Sequence, residues 1–187
     1  NDTMYVGTTS AINLNNVAGA GTGVSLTLGN FAGTSYYSSG NGSNPSPLMN
    51  GYIYSAPSGD GWPIRASLTG LTVGESYQLV VYSAGHGSGE GATINITDPT
   101  FSTIYSSAST TGLDENIANG QGDAYQIFTG TIGSGGTLNF DVANTSSYHA
   151  LNGFQLQLVA VPEPSTLALA GMGGLMTLGW FRRRSSK

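Results

Sequence analysis

The chain has 187 residues, no cysteine, 29 glycines and only 8% charged side chains. Without cysteine there are no disulfides, thiolate metal sites or cysteine nucleophiles. Residues 1–160 hold one basic residue, Arg65, against nine carboxylates, a formal charge of −8. Such an acidic surface repels polyanions, which excludes nucleic acid as an expected partner.

Alternation of apolar and polar residues is the dominant pattern of the body. Segments 24–28, 138–142 and 154–158 place apolar residues at every second position, which predicts strands with one buried face. Segment 77–82 is apolar on both faces and is typical of a central strand. Further strand candidates are residues 49–55, 92–97, 101–105 and 125–131.

Glycine-rich turns separate these segments, notably at residues 40–45, 58–61, 85–91 and 133–136. About eight to ten short strands with such turns predict an all-β fold, a two-sheet antiparallel β-sandwich of jelly-roll type, with a C-terminal hydrophobic helix. We predict two units, a sandwich body at residues 1–160 and a tail at 161–187. Segments 77–83 and 151–156 loosely resemble galactose-binding-like domains.

The two histidines do not form a convincing catalytic set. His86 shares a glycine-rich segment with Ser88 and Glu90, but neighbours on one flexible loop lack the fixed orientation that a catalytic triad needs. We expect His149 at the surface or at a strand edge, because no second histidine lies nearby in sequence. A hydrolase would need an acid–base pair that spacing does not identify, so we expect no enzyme. The carboxylates available for such a pair are Asp60, Glu75, Asp98, Asp114, Glu115, Asp123 and Asp141.

A cluster of oxygen-bearing side chains lies between residues 114 and 123. Such clusters on glycine-rich loops suit calcium, although the spacing departs from an EF-hand loop. The alternative is a solvated loop, and calcium is the only cofactor that the sequence indicates. The candidate calcium ligands are Asp114, Glu115, Asn116, Asn119 and Asp123.

A group of aromatic residues in the first third of the chain is a candidate platform for stacking sugars. The alternative is that these rings pack within the sheets. The candidate carbohydrate-binding residues are Tyr36, Tyr37, Tyr52, Tyr54 and Trp62. Three segments, at Asn41, Asn95 and Asn144, also match the N-glycosylation pattern, and sugars linked to Ser or Thr are an equal alternative.

The last 27 residues have an ordered layout of their own. Pro162, Glu163 and Pro164 favour an extended backbone. The uncharged run 166–181 would span about 24 Å as a helix, against a bilayer core of about 30 Å. A cluster of Arg182, Arg183 and Arg184 follows, and would stay on the cytoplasmic side of a membrane.

The apolar run has two alternatives to a membrane contact. A terminal helix would pack on the body, or helices from several copies would associate through the small residues Ala170 and Gly174. The residues predicted to contact the membrane or pack in such a helix are Leu167, Leu169, Ala170, Gly174, Leu175, Leu178, Trp180 and Phe181.

This order of proline motif, apolar run and arginine cluster resembles the PEP-CTERM sorting signal of Gram-negative, biofilm-forming bacteria. The resemblance implies recognition by exosortase at Pro162, Glu163 and Pro164, with Arg182 to Arg184 as the stop cluster. It also implies a transient inner-membrane contact and delivery to the cell surface or the extracellular matrix. We therefore expect export through the periplasm, with Asn1 as a mature end after removal of a signal peptide.

Together these patterns favour a non-catalytic structural protein of the cell surface or extracellular matrix. We expect it to associate with copies of itself, with a filament as the natural extension. The alternative is a carbohydrate-binding module that anchors exopolysaccharide.

Overall fold

The computed structural model describes residues 7–8, 10–31, 33–36, 51–55, 63–84, 91–111, 120–143 and 149–159. All the regular secondary structure among these residues is β-strand, which confirms the all-β prediction. Within these ranges no helix is long and apolar enough to cross a bilayer. The strands are β1 (Gly7–Thr8), β2 (Ile12–Asn15), β3 (Gly21–Phe31), β4 (Gly33–Tyr36), β5 (Gly51–Ser55), β6 (Ile64–Thr69), β7 (Ser76–Tyr82), β8 (Thr93–Thr97), β9 (Ile104–Ser109), β10 (Tyr125–Thr131), β11 (Thr137–Ala143), β12 (His149–Leu151) and β13 (Gly153–Val159).

Three antiparallel sheets arise from these strands, where the sequence predicted two. The large sheet has seven strands in the order β1-β3-β6-β11-β8-β9, with β2 also pairing with β3. A second sheet has the order β10-β7-β13, and a third, short sheet has the order β12-β5-β4. Because only Asn152 separates β12 from β13, the second and third sheets are joined by almost continuous chain.

The apolar core lies between the large sheet and the two smaller ones. Leu68 on β6 pairs with Leu138 on β11, and these side chains point to the same face. Facing them, Leu79 on β7 pairs with Leu156 on β13. Phe140 and Phe154 join the layers, with ring centroids 5.8 Å apart in an edge-to-face contact. The alternation of β6, β7 and β11 therefore directs one face of each strand into a shared core.

Most predicted strands coincide with observed ones. β3, β7, β10, β11 and β13 cover their predicted segments, β8 covers 93–97 of the predicted 92–97, and β5 covers 51–55 of the predicted 49–55. β7 is the central strand of its sheet, as its apolar character indicated. The predicted strand at 101–105 is wrong at its start, because residues 98–103 form a hydrogen-bonded turn and β9 begins at Ile104. The pattern also missed β6, a central strand of the large sheet.

Candidate functional site

The outer face of the large sheet carries a row of polar residues across its centre. Arg65 on β6 pairs with Asp141 on β11, and Asp141 pairs with Asn95 on β8. The strands alternate, so the neighbours of these residues enter the core while the three polar side chains share the outer face. Three adjacent strands thus bring together the body's only basic residue, a carboxylate and an amide.

Asp141 is held in a nearly closed environment. Its side chain is 6% exposed, and the Asn95 Nδ2 donates a hydrogen bond of 2.7 Å to its Oδ1. Burial raises the pKa of the Asp141 carboxyl, because desolvation disfavours its charged form. The Asn95 hydrogen bond and the positive charge of Arg65 oppose this rise in pKa. The geometry therefore keeps a poorly solvated acceptor beside a guanidinium group.

The turn after β8 places an aromatic ring over this row. The Asp98 carboxylate accepts hydrogen bonds from Thr100 Oγ1 at 2.6 Å, from the Ser102 N–H at 2.8 Å and from the Thr103 N–H at 3.0 Å. The Thr100 hydroxyl and these backbone donors lower the pKa of Asp98 to about 2. The braced turn holds Phe101 in the left-handed region, at φ 58°. Its ring lies 4.8 Å from the Arg65 Cζ, a cation–π distance.

Two buried polar atoms in this region lack a hydrogen-bond partner within the described part of the chain. They are the Arg65 Nε and the Thr97 Oγ1. Buried polar groups are nearly always satisfied, so these two donors are exceptions to the usual pattern. We call Arg65, Asn95, Thr97, Phe101 and Asp141 the Arg65 cluster. It brings together two donors, a carboxylate acceptor and an aromatic ring.

Sequence reasoning missed the Arg65 cluster, because its members lie on four separate elements. One signal was available, since Arg65 is the only basic residue before residue 160. A lone charge within a short alternating segment indicates a partner on the neighbouring strand. The register that makes Asp141 this neighbour could not be read from spacing alone.

A second surface is an apolar groove of about 1150 Å³ beside β13. We call it the β13 groove. Its floor and walls come from β2, β3, β5, β7, β12 and β13. Leu14, Leu28, Phe154, Leu156 and Leu158 line it and are only partly buried, although they pack against the core. The groove follows from unequal layers, because the seven strands of the large sheet face three-stranded sheets.

The predicted aromatic platform is brought together only in part. Tyr52 and Tyr54 lie on one face of β5 and are half-buried, with ring centroids 6.3 Å apart in an edge-to-face contact. Tyr52 lines the β13 groove. Tyr36 ends β4, whereas Tyr37 and Trp62 lie outside the described residues. The carbohydrate platform stays a prediction.

The calcium prediction falls mainly outside the described residues. Of its five candidate ligands, only Asp123 is described, and the Thr111 hydroxyl donates a hydrogen bond to its carboxylate. Among the described side chains, no group of three or more His, Cys, Asp or Glu converges to hold a metal ion. Calcium binding by the loop therefore stays a prediction.

Two residues that the sequence patterns singled out are buried. His149 is fully buried rather than at the surface, although it begins β12, an edge strand of the third sheet. The reason is that β12 is flanked by β5 on one side and by Ser83, whose hydroxyl donates to the Ala150 carbonyl at 2.7 Å. Asn95 is 8% exposed and bonded to Asp141, so it is not an accessible glycosylation site. His86, Ser88, Glu90, Asn41 and Asn144 lie outside the described residues.

The PEP-CTERM protein-sorting motif matches residues 160–184. The chain carries a PEP-CTERM sorting motif. This motif marks an exported protein of the cell surface or extracellular space, and exosortase is the matching sorting partner. The sorting residues Pro162 to Pro164, the packing residues from Leu167 to Phe181 and the arginine cluster fall within the match but outside the described residues.

The chain is similar, at 16–17% identity, to three solved structures. The K1 cleaved adhesin domain of Lys-gingipain from Porphyromonas gingivalis is 16% identical, with 81% of this chain and 90% of that one covered and a TM-score of 0.38. The enzymatically active domain of bacteriophage CBA120 tailspike protein 4 is 16% identical, with 81% and 19% covered and a TM-score of 0.37. Arthrobacter globiformis T6 isomalto-dextranase is 17% identical, with 73% and 21% covered and a TM-score of 0.37.

The chain spans about a fifth of the length of the tailspike and dextranase structures. No curated protein matches the chain.

Proposed function

We propose that the chain is a non-catalytic structural protein of the cell surface or extracellular matrix that associates with copies of itself. The PEP-CTERM motif supports the compartment. The observation that supports self-association is that β9 lies at the edge of the large sheet, with no strand beyond it among the described residues. Exported β-proteins with an unprotected edge can join by pairing their edge strands.

β9 lacks two of the features that natural proteins use to block edge pairing, a charge and a proline, although a bulge at Tyr105 interrupts its pairing with β8. It is the last strand of the large sheet, and its sequence, Ile-Tyr-Ser-Ser-Ala-Ser, has no charge and no proline. Ile104 is 57% exposed and Tyr105 is 68% exposed. The Gln126 Nε2 donates to the Ser109 carbonyl at 2.5 Å and covers only the end of the strand. Residues 106–108, which pair regularly with β8, therefore present an uncharged edge to another copy.

The proposal includes the arrangement of the three sheets and the tail. The large sheet and the two smaller sheets would form a jelly-roll sandwich, and the tail would supply the hydrophobic helix. Antiparallel pairing of two β9 strands gives a closed dimer, because the same surface is used by both copies. A biofilm filament would require a second contact beyond this pair.

A charged residue on β9 tests the proposal. Tyr105→Lys is expected to shift the full chain from an associated form toward monomer in analytical ultracentrifugation, because like charges would face each other across the edge. Val73→Lys is the matched control, since Val73 is 56% exposed and lies in the turn before β7. A wild-type chain that stays monomeric, or a Tyr105→Lys chain that associates equally well, would contradict the proposal.

The Arg65 cluster favours a second function, the binding of a neutral polysaccharide. The Arg65 Nε, the Thr97 hydroxyl and the Asp141 carboxylate are buried, so a sugar would reach them only after the Phe101 ring had moved aside. The two donors would then bond sugar oxygens, and the carboxylate would accept from a sugar hydroxyl. The half-buried Phe101 ring would supply an apolar contact for the sugar face. The body's formal charge of −8 disfavours an acidic polysaccharide.

Binding of neutral glycans by the full chain tests this function. Arg65→Gln is expected to weaken binding about 10-fold or more, because a charge-assisted hydrogen bond is lost. Tyr52→Ala serves as the comparison variant, since Tyr52 belongs to the aromatic platform on another sheet. Loss of binding with Tyr52→Ala alone would assign the sugar site to that platform. A glycan array with no ligand would contradict the function.

A further inference from the structure

The β13 groove is used by neither function proposed above. Its volume of about 1150 Å³ exceeds the range of about 300–1,000 Å³ that is usual for small-molecule sites. None of its described lining residues carries a charge. Phe154, Leu156 and Leu158 are core-facing residues of β13 that remain only half-buried. A surface with this much continuous apolar lining is normally covered by another polypeptide segment or a membrane.

The chain itself provides a segment at the right place. β13 lines the groove and ends at Val159, immediately before the sorting motif that begins at residue 160. Residues 160–166 are enough to reverse the chain direction, since most connections in compact domains have about 2–6 residues. The apolar run 167–181 would then return along the same strand.

The lengths of the groove strand and the apolar run agree. A helix over residues 167–181 would be about 22 Å long at about 1.5 Å per residue. The seven residues of β13 extend over about 23 Å at about 3.3 Å per residue. A short tether also raises the effective concentration of the run at the groove to the millimolar range, which favours the chain's own tail over a free partner.

Charge favours the same arrangement. The run 167–181 carries no charged residue, like the described groove lining. The tail from residue 161 has four basic residues and one glutamate, whereas the body has a formal charge of −8. Electrostatic attraction therefore draws the arginine cluster back toward the body.

We propose that residues 167–181 of the same chain lie in the β13 groove before sorting, antiparallel to β13. In this arrangement Leu169 lies toward Leu158, and Leu178 lies toward Phe154. The body would shield its own apolar tail from water on the way to the membrane. Release of the tail at the PEP-CTERM motif would then uncover the groove.

Cysteine pairs test this arrangement on a clean background, because the chain contains no cysteine. The full chain would be expressed in an oxidising bacterial periplasm and its disulfides read by mass spectrometry and non-reducing gels. The matched pairs L158C/L169C and F154C/L178C are expected to form intramolecular disulfides in most chains. The crossed pair L158C/L178C is expected to form at least about 10-fold less, since Cα atoms farther apart than about 7 Å cannot be bridged.

Each other outcome overturns the proposal. Disulfide-linked dimers would place the tail in the groove of a second copy, and free thiols in both matched pairs would place it in the membrane. Equal yields for matched and crossed pairs would mean that the tail has no fixed position.

A charge in the groove gives a second readout. Leu156→Glu in the L158C/L169C background is expected to reduce the disulfide yield about 10-fold, because an unpaired carboxylate would face the apolar run. Val159→Glu is the control and should leave the yield unchanged, since Val159 is 51% exposed and outside the groove lining. Circular dichroism melting curves establish that both variants are folded. An undiminished yield in a folded Leu156→Glu chain would contradict the proposal. The β9 variant Tyr105→Lys should not affect the yield, so this test is independent of self-association.

Discussion

The two faces of the large sheet differ in how completely their side chains are enclosed. On the outer face, Asp141 is closed in by a 2.7 Å hydrogen bond from Asn95, and Phe101 covers Arg65. On the inner face near β2 and β3, Leu14 and Leu28 are left half-buried at the rim of a groove. Asn95 and Asp141 bond each other within the fold because desolvation is costly, whereas an apolar rim can be completed by a segment that arrives later.

The largest expected effect compares two phenylalanines that touch each other. Phe140 is fully buried on β11, so Phe140→Ala is expected to lower the free energy of unfolding by about 3–5 kcal/mol. Phe154 lies at the groove and is half-buried, so Phe154→Ala is expected to cost about 1–2 kcal/mol. Urea-induced unfolding of the full chain measures both values.

The ratio of the two decreases in unfolding free energy reports how loosely the side chains at the groove rim are packed. Equal losses for Phe140→Ala and Phe154→Ala would mean that the rim is packed as tightly as the interior. Phe128→Ala is a useful reference, since Phe128 is 5% exposed on β10, away from the groove. It is expected to behave like Phe140→Ala.

A glycine tests how rigidly β3, one wall of the groove, is held. Gly70 has φ +82°, and a Cβ there would lie 2.4 Å from the Gly23 carbonyl oxygen of β3. Gly70→Ala is therefore expected to cost about 2–4 kcal/mol, from backbone strain plus overpacking. Gly74 has φ +85° but open space, so Gly74→Ala should cost only about 1–2 kcal/mol. Equal losses in thermal unfolding would show that β3 moves to admit the methyl group.

Much of the fold could be predicted because the alternation of apolar and polar side chains can be read from the sequence alone. Segments 138–142 and 154–158 indicate which face of the strand is buried, and the observed strands β11 and β13 contain these segments. β6 was not predicted because one of its faces is entirely polar. The polar face holds Arg65, Ser67 and Thr69, and the buried face holds Ile64, Ala66 and Leu68. The turn at 98–103 was not predicted because the apolar Phe101 fits a strand pattern. The backbone instead turns there because the Asp98 carboxylate accepts hydrogen bonds from the N–H groups of Ser102 and Thr103.

The candidate sites were less accessible to sequence reasoning. The sorting tail is a contiguous motif, so its order of residues sufficed to identify it. The Arg65 cluster depends on strand register, because Arg65, Asn95 and Asp141 meet only through cross-strand pairing. The β13 groove depends on unequal numbers of strands in facing sheets, which no local pattern records.

A pH series at Asp141 tests whether its burial is costly. Burial raises the pKa of Asp141, so the folded chain holds this proton more tightly than the unfolded chain, whose value is about 3.9. The stability contributed by this group therefore falls as pH rises above about 4 through the folded pKa. Relative to wild type, Asp141→Asn should gain stability between pH 4 and pH 7. Urea midpoints measured across this range would contradict the expectation if the difference were constant.

The smallest expected effect has the opposite pH dependence and lies only a few residues from the Arg65 cluster. The pKa of Asp98 is lowered to about 2 by its hydrogen bonds, so its contribution is present above the unfolded value of about 3.9 and is lost as pH falls toward 2. Asp98→Asn retains an acceptor for the Ser102 and Thr103 N–H groups but loses the second carboxylate oxygen, which bonds the Thr100 hydroxyl.

Asp98→Asn should therefore be slightly less stable than wild type at pH 7 and equal to it near pH 2, as measured by thermal unfolding. The effect is small because the carboxylate is exposed to solvent, where its charge is well hydrated in either state. Thr100→Val removes the same hydroxyl bond without changing charge and should lose the pH dependence only in part. A deficit for Asp98→Asn that persists at pH 2 would mean that shape, rather than the ionised carboxylate, holds Phe101 over Arg65.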